Sequence, residues 1–208
     1  MNNTIALTSL YAGNIQYYSK LAHYPTCVID MYQHYEKQTY RNRCRIATAN
    51  GPMDLTIPVI KPYGNKTIDK EVKIADEGWQ KIHWRALESA YKNSPFFMYY
   101  EDDFRHFYQK RYTYLTDFNQ ALQACICQLI GIQNTITESD CFLTQSTLDY
   151  RNVIHTKHPV ADKHYSNIPY YQVFEQKYGF IANLSIFDLL FNMGPESIFL
   201  LLPNPKEI

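Results

Sequence analysis

Arg41, Arg43 and Arg45 stand at alternate positions in the segment Tyr40-Arg41-Asn42-Arg43-Cys44-Arg45-Ile46. On a strand such residues share a face about 7 Å apart, and a guanidinium row of that kind can grip a phosphate or carboxylate bidentately. The same spacing also suits a solvated face whose charges pair with nearby acids. His83 shares a helical face with Trp79 and Leu87. An imidazole placed there is either a general base or a core histidine with both nitrogens hydrogen-bonded. Asp188 follows Ser185 by three residues, the spacing of a capping box, and Asn192 lies one turn further on the same face.

Other groups carry less. His155 and His158 have i,i+3 spacing, but Pro159 follows at once and no second ligand pair accompanies them or His164, so a polar loop is expected rather than a metal site. Cys125 and Cys127 diverge by about 200° on a helix, which suits small core residues rather than a bridge. Asp102 and Asp103 point apart for the same reason and read as helix surface. No GxGxxG, P-loop, GxSxG or HExxH pattern occurs. No metal and no cofactor are expected.

These side chains need elements to hold them. The apolar run Ile5–Leu10, the turn Tyr11-Ala12-Gly13-Asn14, a short helix over 15–21 and the strand Cys27-Val28-Ile29 suggest a parallel βαβ start. Residues 39–60 alternate as a β-hairpin turning at Asn50-Gly51, with Pro58 confining the return strand to an edge or ending it. Helical periods follow over Trp79–Lys92, after Ser94-Pro95, and over 115–130 with Gly131 as the stop. Residues 149–169 read as loop, and two helices close the chain. The expected fold class is α/β, with α+β as the alternative: βαβ and hairpin in one mixed sheet, central helices, and a C-terminal helical pair.

The 208 residues carry 20 basic and 20 acidic side chains, and a zero balance argues against a nucleic-acid partner. No apolar run is long enough to span a membrane, and the N-terminus lacks the pattern of a signal peptide. Five scattered cysteines point to a reducing cytoplasm. The 19 tyrosines exceed what a core needs.

Tyr40–Ile46, Leu55-Thr56-Ile57-Pro58-Val59, Trp79–Trp84, Ser94-Pro95-Phe96-Phe97 and the closing run Ala182–Glu196 resemble, in order and spacing, the WbqC-like family. The resemblance covers nearly the whole chain and implies one domain over residues 1–208. The chain departs from the family at Leu10–Tyr17, where the usual prolines are missing while Gln16 and the aromatics remain. Members occur among O-antigen and surface-polysaccharide genes, so the resemblance implies transfer of an aminoacyl (glycine) or acyl group to a nucleotide-linked or lipid-linked sugar. Arg41, Asn42, Arg43 and Arg45 would then hold a phosphate, Tyr11, Gln16, Tyr17, Tyr40 and Asn192 would contact the sugar, and His83 and Asp188 would be catalytic. The alternative is a non-catalytic module that binds a sugar phosphate or other anion.

Overall fold

The computed structural model describes residues 4–60, 66–144, 148–158 and 160–202; Pro159 lies outside them. β1 (Thr4–Thr8), α1 (Ile15–His23) and β2 (Thr26–Asp30) form the expected parallel unit. Asn14 starts α1 by accepting the Tyr17 N–H at 3.1 Å. Two further parallel strands, β5 (Thr135–Glu138) and β6 (Leu148–Asp149), complete a sheet of order β5-β2-β1-β6. Both are short edge strands; neither has enough residues to establish a period, and β6 lies at the start of the expected loop.

The hairpin of β3 (Arg43–Thr48) and β4 (Gly51–Thr56) forms, but as its own two-stranded sheet. The outer edge of β3 is already taken, since the Ser185 N–H donates to the Arg45 carbonyl at 2.8 Å. The turn is displaced by one residue. Ala49 and Asn50 are its centre, and Gly51, at φ 101°, pairs with Thr48. Cys44, Ile46 and Leu55 face the core.

α2 (Trp79–Tyr91) and α4 (Leu115–Ile130) follow the apolar periodicity closely, and Gly131 ends α4 at φ 82°. α3 (Phe97–Arg105) begins later than Ser94-Pro95 suggests, because the Ser94 hydroxyl donates to the Tyr91 carbonyl at 2.6 Å instead of capping. After the one-turn α5 (Glu175–Tyr178), the closing pair is α6 (Ile186–Met193) and α7 (Ser197–Leu201). Ser185 caps α6, but Asp188 does not complete the box, because its carboxylate points into the core.

The starts of α1 and α6 are tied together. The Ile15 N–H donates to the Leu184 carbonyl at 3.0 Å, the Ile186 N–H to Gly13 at 2.9 Å, and the Ser185 hydroxyl to Ala12 at 2.7 Å. Around this knot Tyr11, Tyr17, Tyr18, Phe118, Phe187 and Phe191 are fully buried. The tyrosine excess is therefore largely core. The Tyr17 hydroxyl donates to Gln123 at 2.7 Å, and those of Tyr24 and Tyr150 meet at 3.0 Å. Tyr99, by contrast, is exposed.

Candidate functional site

The arginine row divides where β3 begins. Arg41 and Asn42 precede the strand in a turn, so the alternation that would align three guanidiniums starts only at Arg43. Arg41 turns inward, donating from Nε to Asp69 at 2.8 Å and from Nη2 to Gln33 at 3.1 Å. Burial lifts the Asp69 carboxyl to about 6 despite that neighbour. Asn42 closes the base of the hairpin: its Nδ2 donates to the Ile57 carbonyl, and the Ile57 N–H donates back to the Asn42 carbonyl, both at 2.8 Å.

Arg43 and Arg45 keep the shared outward face. Asp54, directly opposite on β4, accepts from Arg45 Nε and Nη2 at 2.7 and 3.1 Å, and from Arg43 Nη1 at 3.4 Å. Those hydrogen bonds and charges hold the Asp54 carboxyl below its ordinary range. With Tyr40 and Lys157 these side chains line a cleft of about 140 Å³. Three cations against one carboxylate leave the cleft a net positive site suited to a small polyvalent anion.

Lys157 reaches the cleft from the loop expected over residues 149–169. His155 Nδ1 accepts the N–H groups of Lys157 at 3.1 Å and His158 at 3.2 Å, while its Nε2 meets Glu36 at 3.0 Å. The Thr156 hydroxyl donates to the Gln38 carbonyl at 2.7 Å. His155 and Thr156 thus fasten this loop to residues 36–38. Nothing local in the sequence connects Lys157 to Arg43.

His83 is a core residue. Its Nδ1 lies 2.9 Å from the Tyr11 hydroxyl, which lies 3.0 Å from that of Tyr108. The other ring nitrogen faces the Thr56 backbone, and Trp79 packs edge-on at 5.0 Å. Burial lowers its pKa to about 4, so the ring is neutral at ordinary pH with both nitrogens occupied. Tyr11, wholly buried in this chain of hydroxyls, offers no stacking face to a ligand.

Asp188 occupies a separate buried position. It accepts from the hydroxyls of Tyr91 at 2.9 Å and Tyr170 at 2.6 Å and from Gln172 Nε2 at 2.9 Å. Burial raises its pKa against those donors. Asn192 donates to the Asp188 carbonyl at 2.7 Å within α6. Gln16 is bonded through Nε2 to Asp162 at 3.0 Å, beside the buried Lys20–Asp162 ion pair at 2.7 Å. Of the residues singled out from sequence, the cleft gathers Tyr40, Arg43 and Arg45. Arg41, Asn42, Tyr11, Gln16, His83, Asp188 and Asn192 do not line it.

In an open α/β sheet a ligand crevice is expected at the carboxyl ends of the strands where the winding order reverses. Here that point lies between β1 and β6. Arg151 fills it, binding Asp149 through Nε at 2.9 Å and Nη2 at 2.6 Å and also pairing with Asp30. Asp30 is fully buried, so these charges satisfy one another. Among the described residues, no group of three or more His, Cys, Asp or Glu side chains is arranged to hold a metal ion, and no helix is long and apolar enough to cross a membrane.

The model of the WbqC-like protein family matches residues 9–169. A curated protein of Mycobacterium tuberculosis (strain ATCC 25618 / H37Rv), named Uncharacterized protein Rv1507c, is 29% identical over 78% of this chain and 81% of its own length. No solved structure matches the chain.

Proposed function

We propose, from the premise that this chain belongs to the WbqC-like protein family, that it binds a sugar phosphate in the cleft beside the β3–β4 hairpin. The observation that carries this reading is the gathering of Tyr40, Arg43, Arg45 and Lys157 around one small positive cavity. The guanidiniums and the ammonium would take the phosphate, and the Tyr40 ring would lie against the sugar. The occupied nitrogens of His83 and the buried carboxylate of Asp188 favour a binding module over a transferase that uses these two groups. Its setting, by family resemblance, is surface-polysaccharide assembly in the cytoplasm, where its five free cysteines would stay reduced.

Transfer of an aminoacyl or acyl group to the bound sugar is the second reading. It rests on the family resemblance, since Asp69, buried beside Arg41, lies outside the cleft lining. Calorimetric titration with glucose 1-phosphate tests the binding reading. Charge-assisted hydrogen bonds contribute roughly 1.5–3 kcal/mol each, so Arg43→Ala or Lys157→Ala should weaken binding about tenfold or more. Equal affinity in wild type and both variants would overturn it.

A further inference from the structure

A groove of about 550 Å³ lies away from the hairpin cleft, between the start of α2 and the segment after α3. Its size is that of sites that enclose a small organic ligand. Trp84 and Tyr108, with ring centroids 5.7 Å apart, form an aromatic wall. The Arg105 guanidinium lies 5.4 Å from the Trp84 ring centre. Lys81 and Arg111 line the groove as well, and Asp76 is the carboxylate among its lining residues. It pairs with Arg111 at 3.1 Å, an exposed contact in which water screens both charges.

The start of α2 opens on the same space, because Gly78, Gln80 and Lys81 all line it. Gly78 stands at the N-cap with φ 69°, no side chain caps the first turn, and that turn holds no acidic residue. Free N–H groups and the positive end of the helix dipole there add to the cationic rim. Aromatic faces attract a planar ring, and the surrounding cations attract a charged group attached to it.

We infer that this groove is a binding site for a nucleoside diphosphate, with the base against Trp84 and the phosphates between Lys81, Arg111 and the start of α2. The inference stands independently of the hairpin cleft. A free phosphate would not use the aromatic wall, and a nucleoside would not use the rim, so the class that engages both is the phosphorylated nucleoside.

Tryptophan fluorescence reports the site directly, because Trp79 is buried at 3% exposure while Trp84 borders the groove. Titration with ADP and with UDP should give saturable quenching by at least one of them. Adenosine, uridine and inorganic phosphate should each bind at least about tenfold more weakly. The double variant Lys81→Glu/Arg111→Glu changes two exposed side chains, so circular dichroism should be unaltered while nucleotide affinity falls about a hundredfold. Arg43→Ala should leave the quenching curve unchanged. Absence of saturable quenching, quenching unaffected by the double variant, equal binding of phosphate or nucleoside alone, or loss of nucleotide binding in Arg43→Ala would each overturn the assignment.

Discussion

Replacing His83 with Gln separates a core histidine from a general base. The ring is neutral in the folded chain, with its pKa lowered from 6.5 to about 4 by burial. In the unfolded chain it takes up a proton below about 6.5. Between these values the unfolded state binds more protons, so the His83 contribution to stability is complete above about pH 6.5 and declines as pH falls toward 4. Linkage over that shift amounts to about 3 kcal/mol in total, of which about 2 kcal/mol is lost between pH 7 and pH 5. Urea unfolding of wild type and His83→Gln at both pH values measures this as a change in their difference. Glutamine preserves polarity but does not titrate, so the stability advantage of wild type should shrink by about 2 kcal/mol at pH 5. A pH-independent difference would refute the sealed, neutral imidazole. Sugar-phosphate affinity at neutral pH should be the same in both proteins, because His83 lies outside the cleft.

Asp69 titrates with the opposite sign. Its folded pKa of about 6 exceeds the ordinary 3.8, so its contribution is present below 3.8 and lost as pH rises through 6. The stability of wild type relative to Asp69→Asn should therefore fall between pH 4 and pH 6, as followed by urea unfolding; a rise would show that the Arg41 charge outweighs burial. Asp188→Ala strands two tyrosine hydroxyls and the Gln172 amide, and should cost about 3 kcal/mol or more, whereas Asp188→Asn, which keeps an acceptor, should cost less. Thermal melts of the two variants rank them, and equal losses would remove the hydrogen-bond account.

Elements with several turns of periodicity were readable from the sequence; single residues at their ends were not. α4 runs from Leu115 to Ile130 as its stripe and Gly131 require. The hairpin was readable too, but a turn centred on Asn50-Gly51 would set Arg45 opposite Thr56. The observed turn sets it opposite Asp54, which pairs with two of the arginines. Alternation pointed to Arg43 and Arg45 and failed at Arg41, where the chain is not yet extended. The helical face that His83 shares with Trp79 and Leu87 is buried, whereas Asp188, expected to complete a capping box, is buried in the core instead. Periodicity says nothing about which groups complete their hydrogen bonds, and those bonds are what distinguish a core residue from a reactive one. Lys157 joins the cleft through tertiary contact alone, so no local pattern could have announced it.

The tie between the starts of α1 and α6 bears on how the chain can be cut and when it can fold. The family match ends at residue 169, before Leu184, Ser185 and Ile186, which hold the backbone of residues 12–15. A fragment trimmed to the matched span would leave the entrance to α1 unfastened and strip Phe187 and Phe191 from the aromatic core. On the ribosome the start of the first helix must likewise stay unfastened until the segment around Ser185 has emerged. That ordering leaves the emerging chain dependent on a contact of long sequence separation for its final packing.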